Sequence, residues 1–330
     1  MHAPDGFLNA ATALTTGALS AGAVGVALRQ SREQLADKQV PLAGLAAAFI
    51  FAAQMVNFPV AGGTTGHLLG GGLAAILLGP WLGTLTVTVV VVVQALAFAD
   101  GGLTALGYNV LNMAVVTSMG GYAAFRLLRK ALPANGTGVV VATGLAAGIS
   151  VVLSSLAFSV EWLFGATAPI PFPTVLVAMV GVHALIAVGE GLISAVVVGA
   201  VLATRGDLVT GAADLPRAAR AQRSSVGLRG FVAGGVAATL LVAGGVSQLA
   251  VDQPDGLERV AAETGIAAEG EHHPLSSSVF ADYATSGVDN EALSLALAGL
   301  AGSAVTLGVG TGMVLAVRDR RGGSAGVAEA

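Results

Sequence analysis

Apolar runs of about twenty residues, parted by short polar turns, fill this chain and leave it few ways to fold. A run of that length crosses the hydrocarbon of a bilayer as a helix. Within a bilayer only helices and closed barrels satisfy their own backbone polar groups. Nine segments are predicted to cross: roughly 8–28, 40–58, 67–79, 83–99, 108–128, 138–160, 173–203, 229–250 and 292–317. The expected fold is all-α, a polytopic membrane helical bundle of about nine transmembrane helices. The third segment is the weak one, because His67 to Gly79 is only 13 residues. It is expected to be a short tilted or re-entrant helix whose backbone is covered by protein. Fifty-five per cent hydrophobic residues, 10% charged residues and a mean hydropathy of +0.81 exclude an ordinary soluble domain. Forty-seven glycines suit closely packed membrane helices. The absence of cysteine rules out disulfides and thiolate metal sites.

The charges orient these segments. Lys and Arg concentrate in cytoplasmic loops of membrane proteins. With the N-terminus outside, the loops Arg29 to Lys38, Arg126 to Lys130 and Arg205 to Arg229 fall inside, as does the tail bearing Arg318, Arg320 and Arg321. Only Arg259 is left outside. The C-terminus is then cytoplasmic. Asp5, Asp100, Glu161 and most of the loop from Asp252 to Glu291 lie outside, either as solvated loop residues or as a field that gathers cations. The N-terminus lacks the basic flank and cleavage site of a signal peptide, so it is expected to be retained.

The chain opens Met1-His2-Ala3-Pro4-Asp5-Gly6-Phe7. The Met1 amine, the His2 amide and the His2 imidazole can grip one ion through fused small chelate rings. Nitrogen ligands of this kind suit the tetragonal geometry of Ni²⁺ or Cu²⁺. Pro4 and Gly6 favour a tight turn that folds the terminus back. A fourth nitrogen is offered by His67 in Gly63-Thr64-Thr65-Gly66-His67-Leu68-Leu69-Gly70. The plain alternative is a disordered terminus and a His67 that packs locally.

Taken together, the Met-His-x-Pro-Asp-Gly-Phe-Leu start, Asn57-Phe58-Pro59-Val60, the stretch around His67, Phe98-Ala99-Asp100-Gly101-Gly102-Leu103 and Gly189-Glu190-Gly191-Leu192-Ile193 resemble the CbiM/NikM family. These are the substrate-capturing membrane components of cobalt and nickel energy-coupling-factor transporters. The resemblance covers about residues 1–205, and Ala3 stands where a larger aliphatic residue is common. It implies an ion held by the Met1 amine, the amide and imidazole of His2, and the imidazole of His67. It also implies a multi-pass protein of the cytoplasmic membrane, with Ni²⁺ or Co²⁺ as transported substrate. A transmembrane coupling protein and two cytoplasmic ATPases are the implied partners. Beyond a basic linker at 206–228, Pro254-Asp255-Gly256-Leu257-Glu258 resembles the two-helix PDGLE, or CbiN/NikN-like, module. Residues 229–317 are thus expected to be an accessory module with an external loop at 251–291, followed by a cytoplasmic tail at 318–330. Residues 1–205 alone are expected to bind metal, whereas efficient uptake needs 229–317.

Other polar residues have weaker claims. Gln54 and Asn57, and likewise Asn109 and Asn112, are candidates to support the metal ligands or to bond between helices. His183 and Glu190 lie seven apart on one face of a membrane helix and form a possible intramembrane polar pair, as a proton relay or as packing. His272 and His273 could pass metal inward or be ordinary loop residues. The ridges Gly17-Ala21-Gly25 and Ala304-Gly308-Gly312 suit helix contacts within the chain or with a partner. The chain's lysines, Lys38 and Lys130, do not fit a phosphate-binding loop, so no nucleotide is expected here. Neither a catalytic centre nor nucleic-acid binding is suggested. The leading expectation is a substrate-binding subunit of an ATP-driven nickel or cobalt uptake system. A proton-coupled secondary transporter using His183 and Glu190, or a membrane metal sensor, are the alternatives.

Overall fold

The computed structural model describes residues 1–34, 39–61, 63–216 and 226–325. Lys38 and residues 217–225 of the basic linker, with Arg217, Arg220 and Arg223, lie outside the described residues.

The first part begins with α1 (Ala10–Gln34) and α2 (Gln39–Gln54), then a small antiparallel pair, β1 (Phe58–Pro59) and β2 (Thr65–Gly66). There follow α3 (Gly71–Leu78), α4 (Pro80–Ala97) and α5 (Leu106–Val110), which passes through a π-helical turn at Leu111–Val116 into α6 (Thr117–Ala131). Two long helices, α7 (Gly136–Gly165) and α8 (Phe172–Arg205), complete it. The second part has α9 (Leu228–Gly244), the short α10 (Gly256–Thr264) and α11 (Glu291–Ala325). Among the described residues, six helical stretches are long and apolar enough to cross a membrane.

Local chemistry sets several helix starts. Pro80 opens α4, where its missing N–H is not needed. The Asn135 side chain caps α7 by accepting from Gly138 N at 2.8 Å. Within the helices, hydroxyls return to the preceding turn, as Thr143 does to Val139 O at 2.8 Å, so they need no water. Packing is inverted relative to a soluble bundle. Leu14, Val177 and Val196 point outward at 70% exposure or more, while Ser150, Ser154 and Ser194 are fully buried. That is the pattern expected where lipid, not water, surrounds the bundle.

The third predicted segment is not a continuous helix. The eight residues of α3 rise only about 12 Å, well short of a bilayer's ~30 Å. Residues 67–70, which precede it, lie outside any helix, and the start of α2 meets its far end. Gln39 Nε2 reaches Leu78 O there, at 3.4 Å. The open backbone is met by side chains. Leu69 N and Gly70 N donate to the two carboxylate oxygens of Glu190, at 2.6 and 2.9 Å, and Leu69 O accepts from Gln54 Nε2 at 2.9 Å. Gly70, at φ +81°, turns this strand into α3, a conformation side chains disfavour.

The second part lies against the first. α11 and α9 pack on α2, and Gly302 of α11 admits the rings of Phe51 and Phe98. The predicted ridge Ala304-Gly308-Gly312 faces away from this contact and is exposed. The predicted external loop at 251–291 is not an open loop, because it contains α10 and folds over the end of the bundle where the chain begins.

Candidate metal centre

The first residues are held in a narrow slot. Asn109 clamps Ala3 through two bonds, accepting from Ala3 N at 3.0 Å and donating to Ala3 O at 2.9 Å, as a neighbouring strand would. Gly102 N donates to Ala3 O at 2.9 Å, and Tyr108 OH donates to Pro4 O at 3.1 Å. Asp5 is buried and accepts from Thr104 N and Thr104 Oγ1, both at 2.6 Å. This carboxylate fixes a turn and is not part of an external field.

This anchoring carries the Met1 amine, only 4% exposed as a residue, to 3.2 Å from His67 Nε2. Two nitrogens bound at right angles to one ion at ~2.0–2.1 Å lie about 2.9 Å apart, so the pair needs only a small closure. The hairpin of β1 and β2 delivers His67. Its Nδ1 lies 3.0 Å from Leu68 O, and a carbonyl only accepts, so Nδ1 carries the proton and Nε2 offers its lone pair. The His2 ring stacks on His67 with centroids 5.2 Å apart.

Both nitrogens of His2 face oxygens, Nε2 to Gln94 Oε1 at 3.0 Å and Nδ1 to Asp100 Oδ1 at 3.3 Å. Burial pushes this imidazole down to about 4; Asp100 opposes the shift, while His67 and the Met1 amine add to it. The ring is therefore neutral at pH 7, with one nitrogen protonated and the other able to bind an ion. Nδ1 is the nitrogen that closes the smaller chelate ring with the His2 amide. Tyr283 OH, from the second part, donates to Asp100 Oδ2 at 2.6 Å and accepts from Gln94 Nε2 at 3.0 Å. Because the folded value lies below the free value of 6.5, neutral His2 favours the folded site above pH 6.5. That contribution is lost as pH falls from 6.5 through about 4. We expect the thermal midpoint of the purified protein to drop across that window by more than that of His2→Gln, worth at most ~3 kcal/mol. Equal acid sensitivity of the two proteins would contradict the neutral ring.

Asp255 was not anticipated. Its Oδ2 lies 2.5 Å from the Met1 amine and 3.4 Å from His67 Nε2. Burial raises its proton affinity, but the amine and His67 outweigh this and hold it well below the usual carboxylate range. A cavity of about 870 Å³ opens beside it, lined by His2, His67 and Asp100 from the first part and by Asp252, Asp255 and Glu258 from the second. Among the described residues no Lys or Arg lines it.

The other sequence candidates are placed as follows. Gln54 supports the strand after His67, and Asn109 supports the terminus, so neither touches a proposed ligand nitrogen. Asn57 lines the cavity, with its carbonyl accepting from Val251 N at 3.0 Å. Asn112 donates to Glu161 Oε2 at 2.7 Å, away from the His67 strand. His183 and Glu190 are both buried but engage different groups: Glu190 holds Leu69 and Gly70, while His183 Nδ1 donates to Met179 O at 2.7 Å. The suggested His183–Glu190 pair is thus replaced by two separate anchors. His272 lies near Ser276, and His273 Nδ1 accepts from Leu275 N at 3.0 Å. Among the described residues no cluster of three or more His, Cys, Asp or Glu side chains has metal-ligand spacing. Gln94 and Asp100 were also missed as contacts of His2, although Asp100 lies in one of the quoted motifs.

Six apolar stretches among the described residues are those of an integral, multi-pass membrane protein. The chain belongs to the CbiM family, described as the cobalt uptake substrate-specific transmembrane region, which residues 2–208 match; residues 229–319 match the PDGLE domain. A chain of Archaeoglobus fulgidus named for fused nickel transport (NikMN) is 34% identical over 94% of this chain and 97% of its own length. One of Haloquadratum walsbyi named for metal transport is 43% identical over 63% of this chain and 93% of its own. A solved transition metal transporter, in truncated form, superposes with a TM-score of 0.53 at 31% identity, covering 60% of this chain and 96% of that one.

Proposed function

We propose that this protein is the substrate-binding membrane component of an ATP-driven uptake system for Ni²⁺ or Co²⁺. The observation that carries this reading is the 3.2 Å approach of the Met1 amine to His67 Nε2, with the His2 imidazole stacked alongside. Amine, His2 amide and two imidazoles supply the nitrogen set that such ions favour. The distribution of Lys and Arg supports nine crossings with the site at the extracytoplasmic face of the cytoplasmic membrane. The acid-lined cavity then gathers cations from outside. A transmembrane coupling protein and two cytoplasmic ATPases supply the energy. The proton-coupled alternative loses its motive, because both oxygens of Glu190 are engaged by backbone amides.

The test is uptake of radioactive Ni²⁺ or Co²⁺ into vesicles carrying this chain with its partner subunits. Uptake in ATP-loaded vesicles is expected to persist with a proton uncoupler and to vanish in His67→Ala. Collapse under the uncoupler despite ATP would overturn the proposal.

A further inference from the structure

The C-terminal module places a carboxylate inside the site, and it is firmly built in. Asp255 Oδ1 accepts from Glu258 N at 2.9 Å while Glu258 Oε2 accepts from Asp255 N at 2.8 Å, a reciprocal cap that opens α10. Just before it, the carbonyls of Gln253 and Pro254 accept from Thr65 Oγ1 at 2.8 Å and Thr65 N at 3.0 Å, two residues from His67. Gly256 lies so close over α8 that a methyl group there would come within 2.7 Å of Ile186 and 3.0 Å of His183. Only glycine lets the segment sit this low.

The position also borders two spaces. Asp255 and His67 are the residues that line both the large cavity and a narrow cleft of about 10 Å³ beside Met1. That cleft has about the room of one water molecule. Asp255 and His67 therefore stand between the cavity, which His2 also lines, and the cleft that holds Met1. Asp255 Oδ2, already on the amine and near Nε2, is the oxygen a cation meets there.

We propose, building on the function above, that Asp255 is an entry ligand of the ion site, supplied by the C-terminal module. The incoming divalent cation takes the Asp255 carboxylate first, in exchange for that carboxylate's contact with the Met1 ammonium; the ammonium and the His2 amide then release their protons to water as the nitrogens close around the ion. Oxygen holds such ions less strongly than the nitrogen set, so the carboxylate speeds entry without retaining the ion. Residues 1–205 alone then still bind the ion, but slowly.

The experiment is stopped-flow association of Ni²⁺ or Co²⁺ with the full chain, purified in detergent with its native terminus. Asn caps a helix as well as Asp, so Asp255→Asn keeps α10 while removing the charge. It is expected to slow association about tenfold, the lower end of electrostatic effects on capture. Asp252→Asn, which lines the cavity without touching either nitrogen, is expected to slow it less than about threefold. Asp255→Ser, a second neutral cap, must match Asp255→Asn and decides the matter if the latter melts early. Unchanged association in a folded Asp255 variant overturns the proposal, as does equal slowing by Asp252→Asn. If the wild-type protein binds neither ion, it is the proposed function that has failed. Normal wild-type binding with an unaffected Asp255 variant removes the entry ligand alone.

Discussion

One extra residue before Met1, verified by mass, is expected to abolish high-affinity Ni²⁺ or Co²⁺ binding while leaving the helix content unchanged. The added residue turns the terminal amine beside His67 Nε2 into an ordinary amide, whose nitrogen no longer offers a lone pair to an ion. It also has no room, because Met1 is buried and the cleft beside it is water-sized. A backbone amide coordinates only when ring closure on either side draws off its proton, so losing the amine weakens the His2 amide as well. Removing a mere supporting partner of a metal ligand costs ~10–100-fold in affinity, and losing two coupled ligands should exceed that. His2→Ala and His67→Ala are expected to do the same, whereas His272→Ala changes uptake only mildly. Equilibrium binding and metal content of each purified variant are the measurements. Full binding by the extended chain would end this account of the site.

Glu190→Gln should be the most damaging single change within the membrane, and through structure rather than proton transfer. Both carboxylate oxygens accept backbone amides from the strand that carries His67, at 2.6 and 2.9 Å, in a fully buried setting. The amide of Gln presents N–H to one of these N–H groups, leaving a donor unmet where no water reaches. Bonds to a charged acceptor are worth ~1.5–3 kcal/mol each, and an orphaned donor adds its own penalty. We expect a loss of ~3 kcal/mol or more in detergent, with ion affinity falling as His67 loosens, and no new sensitivity to uncouplers. His183→Gln, which holds only the Met179 carbonyl within its own helix, should do much less. A thermal midpoint for Glu190→Gln equal to that of the wild type would refute this role.

The sequence by itself determined the class of this protein. Twenty-residue apolar runs admit few structures in a bilayer, so the helices were readable without any partner. The Met-His terminus and His67 stood out because their atom types suit one chemistry, and motifs around them placed the chain in a family. The tertiary structure decided what those residues touch. The break in the segment after His67 was legible only as an awkward length. Its cause, a carboxylate 120 residues away that replaces the missing helix bonds of Leu69 and Gly70, depends on how α8 packs. Gln54 and Asn109 could be read as polar residues on apolar helices, but their partners are carbonyls and amides that carry no side-chain signal. Asp255 was visible within a motif, yet its distance of 254 residues from Met1 hid the contact. Spacing along a helix is local and survives in sequence; the meeting of a chain terminus, a broken span and a distant cap is set by packing, which a single sequence does not record.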